Sequence, residues 1–291
     1  MNIEFSVVYE ARNRQAVSDR ALVLHSLGIP CEIINAESGS ALLVPADVSE
    51  RAKYEIWQYE QENRPAKKVR SAPLPRHKGG ISGAIAYILV LCGIAWLAGE
   101  FAFGRNWFAA GRVDGELIRE GEWWRAVTAL TLHSGIRHLL GNLGFGALFG
   151  FFAGRLLGSG VAWLAILLSA TAANLLNTLL LESAHRSIGA STAVFAALGI
   201  LAGFVWRSKF MVQDRWPYRI GPVIGGIALL AYTGTGDEGT DIGAHLTGFV
   251  CGFVLGLILT ALKKYLENPV VQRVAAVAAI CSLALAWLVA L

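Results

Sequence analysis

The chain has 291 residues and a formal net charge of +4. Apolar residues make up 55% and charged residues only 16%, well under the roughly 25% of a soluble domain, so most of the surface does not face water. The small charge, with no basic patch interleaved with aromatics, argues against a nucleic-acid partner. Cys31, Cys92, Cys251 and Cys281 are scattered without a CxxC spacing and read as reduced thiols, with no disulfide or metal site expected. The start Met1-Asn2-Ile3-Glu4 lacks the pattern of a secretory leader, so membrane insertion is expected to rest on internal apolar segments.

Residues 1–62 read as a small soluble α/β domain. Ile3, Phe5, Val7 and Tyr9 alternate, which predicts a strand with one buried face. Val17, Ala21, Leu24 and Leu27 recur at helical spacing from Arg14 onward, and Gly28 and Pro30 stop that helix. Cys31–Ile34 and Ala41–Val44 predict two short strands around an Asn35–Gly39 turn; Pro45 and Asp47 open a second helix to Glu62. The order is βαββα, with no catalytic constellation, and His25 is read as an ordinary surface or core histidine. Tyr9-Glu10-Ala11-Arg12-Asn13 and Gly28-Ile29-Pro30 resemble the small signal-transducing domain at the head of some bacterial membrane proteins.

Residues 63–80 form a linker with Pro65, Pro73, Pro75, Gly79 and Gly80, and carry six Lys or Arg and no acid between Arg64 and Lys78. A polybasic stretch directly before an apolar run is a cytoplasmic anchor signal. Seven apolar runs follow: Ile81–Phe103, Leu139–Leu157, Val161–Leu181, Ile188–Trp206, Ile220–Tyr232, Ile242–Leu262 and Val270–Leu291. Crossing a hydrocarbon core takes roughly 20 helical residues. Six runs meet that length; Ile220–Tyr232 is short and is expected to draw on Pro217–Thr233 or to sit tilted or mobile. With the amino terminus inside, the inner segments hold thirteen Lys or Arg and the outer ones six, which predicts a cytoplasmic amino terminus and an outer carboxy terminus. Trp107, Trp123 and Trp124 then fall at the outer interface, Trp206 and Trp216 at the inner one.

Polar groups in hydrocarbon cost several kcal/mol unless satisfied, so each needs a reason. Asn142, Ser191 and His245 each lie three residues into a run that enters from the outside, which predicts an amide, a hydroxyl and an imidazole at one depth, about 5 Å below the outer edge. A serine attacks only when a base takes its proton, and histidine is the usual base near neutral pH. Ser191 also opens a helix after Gly189-Ala190, where free N–H groups and the positive dipole end can hold an oxyanion. His138 and Asn142 can donate further hydrogen bonds. Gly248, Gly252 and Gly256 on one run, and Gly199 and Gly203 on another, let two helix backbones approach closely and bring Ser191 towards His245. Glu100, Asn174, Asn177, Glu182 and His185 receive no role.

Several of these stretches resemble the motifs of rhomboid intramembrane serine proteases. Gly189-Ala190-Ser191-Thr192 is similar to their G-x-S-G, and Ala244-His245-Leu246-Thr247-Gly248-Phe249-Val250-Cys251-Gly252 to their A-H-x-x-G-x-x-x-G. His133 to Asn142 is similar to their H-x-x-x-x-H-x-x-x-N segment, and Trp124-Arg125 to the W-R pair of their first outer loop. The resemblance covers residues 81–262 and implies an all-α, six-helix membrane core, with 263–291 an appended seventh helix. It implies that Ser191 is the nucleophile and His245 the base of a dyad without a third acid. It further implies that Asn142, His138 and the Ser191 N–H form the oxyanion hole, that His133 braces the outer loop, and that the imidazole packs on Phe195. Residues 104–138 would be the large first loop, and the short fifth run the side through which substrate approaches. Thr192 stands where the family usually has a second glycine.

The function expected is cleavage of transmembrane protein substrates within the lipid bilayer, at a bacterial inner membrane, with no metal and no other cofactor. The second reading is an inactive rhomboid-like protein that binds membrane clients. A transporter is the third; it would show internal repeats and midplane polar residues, and the chain shows neither. Oligomeric state is left open.

Overall fold

The computed structural model describes residues 4–36, 39–63, 77, 79–180, 185–210, 220–221, 223–228, 231 and 241–291. Most of the 63–80 linker, residues 222, 229, 230 and 232 of the short fifth run, Trp216 and Glu182 lie outside the described residues. The chain divides into two compact units, Met1–Lys68 and Val69–Leu291.

The first unit runs β1 (Phe5–Ala11), α1 (Arg14–Ser26), β2 (Glu32–Ala36), β3 (Gly39–Pro45) and α2 (Ser49–Glu62). Its antiparallel sheet has the order β1-β3-β2. The Asn13 side chain accepts from Gln15 N–H to start α1, and Gly28 takes a φ of +72° just past its end, a conformation glycine adopts without penalty. Val17, Ala21 and Leu24 pack against Leu42, Val44, Ala52 and Ile56. The alternation in β1 does not give a single buried face. The pairing register with β3 shifts between Val7 and Tyr9, so Phe5 and Val7 point out while Val8, Tyr9 and Ala11 meet the core. Leu27 lies beyond the helix and is exposed.

The second unit contains α3 (Gly80–Gly99), α4 (Trp107–Gly111), β4 (Val113–Asp114), α5 (Gly115–Arg119), α6 (Arg125–Thr128), α7 (Ile136–Leu157), α8 (Ser159–Leu180), β5 (Arg186–Ser187), α9 (Ser191–Phe210), α10 (Ile242–Ala261), α11 (Lys263–Leu266) and α12 (Pro269–Ala290). Six of these helices are long and apolar enough to cross a membrane among the described residues: α3, α7, α8, α9, α10 and α12. The chain is a multi-pass membrane bundle with a small amino-terminal sheet. Of the fifth run, residues 220–221 and 223–228 are helical, and Gly226 faces the Phe249 ring of α10.

Helix limits depart from the limits of the apolar runs. The first helix ends at Gly99; Phe101 and Phe103 follow with φ of 49° and 60°, a left-handed turn that bulky residues rarely adopt. Ser191 is the first residue of α9, His245 the fourth of α10 and Asn142 the seventh of α7. They share one end of the bundle but not one depth by residue count. Apolarity marks what lipid tolerates, whereas the helix begins where backbone hydrogen bonding begins.

The central feature is the pairing of α9 with α10. Gly248, Gly252 and Gly256 back onto the carbonyls of Thr192, Ala196 and Ile200, while Gly199 and Gly203 back onto those of Phe249 and Phe253. Both series step by four in the same direction, so the two helices run parallel and begin at the same end. A Cβ at Gly248 would come within 2.6 Å of the Thr192 oxygen, so any larger residue must push the helices apart. On the other flank, Tyr87 of α3 stacks on Trp163 of α8 at 4.9 Å, and Gly146 and Gly150 of α7 leave room for these two rings. The last helix is firmly seated: Gln272 accepts from Val161 N–H at 3.1 Å and donates to the carbonyls of Leu157 and Leu266 at 2.7 Å.

Gly252→Val should separate α9 from α10 and lower stability by about 1–3 kcal/mol. Thermal unfolding in detergent, against Gly141→Val where a Cβ meets nothing within 4 Å, reads this directly; equal melting points would contradict the close-packed interface.

Candidate active site

Ser191 is positioned by the backbone that precedes it. Gly189 has φ +136°, outside the range of ordinary L residues. Its N–H donates to Ala129 O at 2.9 Å, and the Ala190 N–H donates to His133 Nε2 at 3.4 Å. A Cβ at 189 would lie 2.7 Å from the His138 ring and 3.5 Å from Ser191 Oγ, so only glycine lets His138 close over the serine. The first N–H groups of α9 lack intrahelical acceptors at this point, as at every helix start.

His138 stands on the first turn of α7, with Nδ1 at 3.2 Å from Ser134 Oγ, and meets His133 edge-on at 5.1 Å. Asn142 lies one turn further on. It is buried and its Nδ2 has no hydrogen-bond partner, while its carbonyl accepts from Tyr87 OH at 2.8 Å. A buried amide donor without a partner is a donor held ready for a ligand.

His245 is buried and lies against the Phe195 ring, with centroids 4.4 Å apart at 35°. Its Nδ1 has no hydrogen-bond partner, and no hydrogen bond joins the imidazole to Ser191 Oγ in this conformation. The two residues sit at the paired starts of α9 and α10. Hydrogen bonds of this kind are often long before a ligand is bound. Thr192 turns its methyl towards Gly248, so the branched side chain packs into the α9–α10 interface.

Several residues at the site received no role from the sequence. Asp241 caps α10, accepting from Ala244 N–H at 2.9 Å, and its second oxygen is 2.9 Å from His185 Nε2. His185 leads into β5, so this pair ties the start of the histidine helix to the segment before the serine. Asn177 Oδ1 accepts from Thr247 Oγ1 at 3.1 Å, and Asn174 Nδ2 donates to Ala126 O at 2.9 Å. The three-residue spacing of the two asparagines on α8 was the available sign that one polar face serves both neighbours. Asn174, Ser187, Asp241 and Ser191 line a small open cleft with a volume of about 10 Å³.

The 104–138 segment is held as a unit. Arg125 is 6% exposed; Nε meets Glu122 at 2.5 Å, and Nη1 donates to the carbonyls of Ala109 and Arg112. Trp124 offers its carbonyl to Thr128. β4 pairs with β5, and Asp114 accepts from Arg186 at 2.9 Å. Burial raises the Asp114 carboxyl, but the Arg186 hydrogen bond, the Leu117 backbone and the charges of Arg186 and Arg112 outweigh it and hold the acid below its ordinary value. Among the described residues no cluster could hold a metal ion.

Residues 120–262 match the family model described as Rhomboid domain. That span takes in α6 to α10 and leaves α3 and α12 outside it. Over 93 residues the chain is 39% identical to "Rhomboid protease GluP" of Bacillus subtilis (strain 168), covering 32% of this chain and 18% of that protein. It is 33% identical over 93 residues to "Rhomboid-like protein 11, chloroplastic" of Arabidopsis thaliana, covering 31% of this chain and 33% of that protein. The chain therefore matches a third or less of the length of either curated relative.

Burial pushes the His133 imidazole from 6.5 down to about 4, and His138 beside it adds to the shift. The unfolded chain then binds a proton more readily than the fold between those values. Stability should be full above pH 6.5 and fall as pH drops towards 4, by up to about 3 kcal/mol from this residue. His133→Asn, which keeps an acceptor but does not titrate, should flatten the pH dependence of the melting temperature. Identical slopes for the two proteins would contradict the assignment.

Proposed function

Residues 120–262 of this chain are a rhomboid domain, and from that premise we propose that the protein is an intramembrane serine endopeptidase cutting transmembrane segments of other membrane proteins with a Ser191–His245 dyad. The observation that supports the reading is the parallel α9–α10 pair, whose glycine contacts bring the start of α9, which Ser191 opens, beside the start of α10, which carries the buried His245.

In this mechanism a substrate helix unwinds near its outer end and presents a carbonyl carbon to Ser191 Oγ. His245, held against Phe195, turns to take the hydroxyl proton. The oxyanion forms at the start of α9, with the Ser191 N–H, Asn142 Nδ2 and His138 as its donors. His245 then passes its proton to the leaving amine. Water from the pocket beside Ser191 attacks the acyl-enzyme, and His245 acts as base again. Hydrogen-bonded helices resist cleavage, so substrates with Gly, Pro or small polar residues near the cut are favoured.

The lysine and arginine asymmetry supports a cytoplasmic amino terminus and a site near the extracytoplasmic face. A bacterial inner (plasma) membrane accords with the Bacillus relative. We divide the chain into a cytoplasmic α/β domain at 1–62, a basic linker at 63–80, the protease core at 81–262 and an additional transmembrane helix at 263–291. A second reading, an inactive client-binding protein, is favoured by Thr192 in place of glycine and by the open Ser191–His245 hydrogen bond.

A fluorophosphonate should label the wild-type protein in detergent or liposomes and leave Ser191→Ala unlabelled. His245→Ala should lose about 10³-fold or more in turnover, and Asn142→Ala about 10²-fold. Equal labelling of wild type and Ser191→Ala, or none of either, would favour the client-binding reading.

A further inference from the structure

We propose that the last helix, α12, is a positioning element of the Ser191 site, acting through Trp287 on the 129–133 segment; the catalytic part of this proposal rests on the protease reading above. This helix lies outside the span matched by the family model. Most of its large side chains are exposed, among them Val270, Val274, Val277, Ile280 and Leu288, as suits a helix against lipid. Trp287 departs from that pattern.

Trp287 is 7% exposed, and its ring lies 4.7 Å from that of Trp107. Gly111 leaves the space it fills: a Cβ there would come within 2.6 Å of the indole. The indole N–H donates to Thr131 Oγ1 at 3.1 Å. Thr131 Oγ1 in turn donates to Thr128 O, and Thr128 Oγ1 to Gly111 O, both at 2.7 Å. Leu132 and Ile188 join the same apolar cluster. Indole, two threonines and the α4 carbonyl thus form one closed set of contacts, with no buried polar group in it left over.

The neighbours of Thr131 hold the serine. Ala129 O accepts the Gly189 N–H, and His133 Nε2 accepts the Ala190 N–H. Only one residue separates each of these acceptors from Thr131 along the chain. At its other end α12 is fixed by Gln272, which bonds the turn between α7 and α8. The helix therefore acts as a strut between that turn and the segment that orients the backbone just before Ser191. A nucleophile must be held close to its productive position, and a shift of about 1 Å can cost about 10²-fold in rate.

The test uses the full-length protein with Trp287→Ala, Trp287→Phe and Thr131→Val. The last is close to isosteric and removes both hydrogen bonds of Thr131, so it informs even if Trp287→Ala does not fold. Saturating fluorophosphonate kinetics separate the rate of capture from affinity, and hydrogen exchange reads the Gly189 and Ala190 amides. Trp287→Ala should lower the capture rate about tenfold and Thr131→Val severalfold, with affinity within about twofold of wild type. Trp287→Phe, keeping the ring, should fall between Ala and wild type. In each folded variant the 189–190 amides should exchange faster. Folded Thr131→Val and Trp287→Phe proteins with wild-type capture and wild-type exchange at 189–190 would overturn the proposal. If phosphonate labels neither wild type nor Ser191→Ala, the protease reading fails, and amide exchange alone then decides the strut.

Discussion

Everything at this site depends on how closely two helix backbones approach. Lipid gives two apolar helices no hydrophobic reason to associate, so their contact must come from packing. Gly199, Gly203, Gly248, Gly252 and Gly256 supply it by presenting bare backbone to the carbonyls of the partner helix. The contact fixes the register as well as the distance. Gly248 meets Thr192, so the turn of α10 that carries His245 must lie beside the residue that opens α9. Thr192 fits because its methyl enters this interface.

The rest of the site is backbone held by single side chains from outside the helix pair. Gly189 and Ala190 are bonded by Ala129 and His133. Asp241 both caps α10 and reaches His185, just before β5. Arg125 collects two carbonyls of the 104–138 segment, whose short strand pairs with β5. A serine at a helix start has little freedom when both flanks are so held. His245, in contrast, keeps an unbonded Nδ1 and lies against the Phe195 ring.

Much of this was legible in the residues. Long apolar runs announced the spans, the four-residue glycine spacing announced a close helix pair, and Ser191, His245 and Asn142 stood out because polar groups in hydrocarbon need a reason. Three features were hidden for physical reasons. A β-bulge turned the outer half of β1 over, and a simple alternation carries no mark of a bulge. Helix starts did not follow the apolar runs, because lipid tolerance and backbone hydrogen bonding end at different residues. Asp241 and Trp287 act on partners far away in sequence, and nothing local in their neighbourhoods signals that.

The most direct measurement is an experimental structure of the protein after reaction with a serine-directed phosphonate. The account predicts phosphorus bonded to Ser191 Oγ, a His245 ring nitrogen within about 3 Å of the adduct, and a phosphoryl oxygen pointing at the Ser191 N–H and Asn142. An adduct on another residue, or an imidazole more than about 6 Å away across an intact α9–α10 interface, would contradict it.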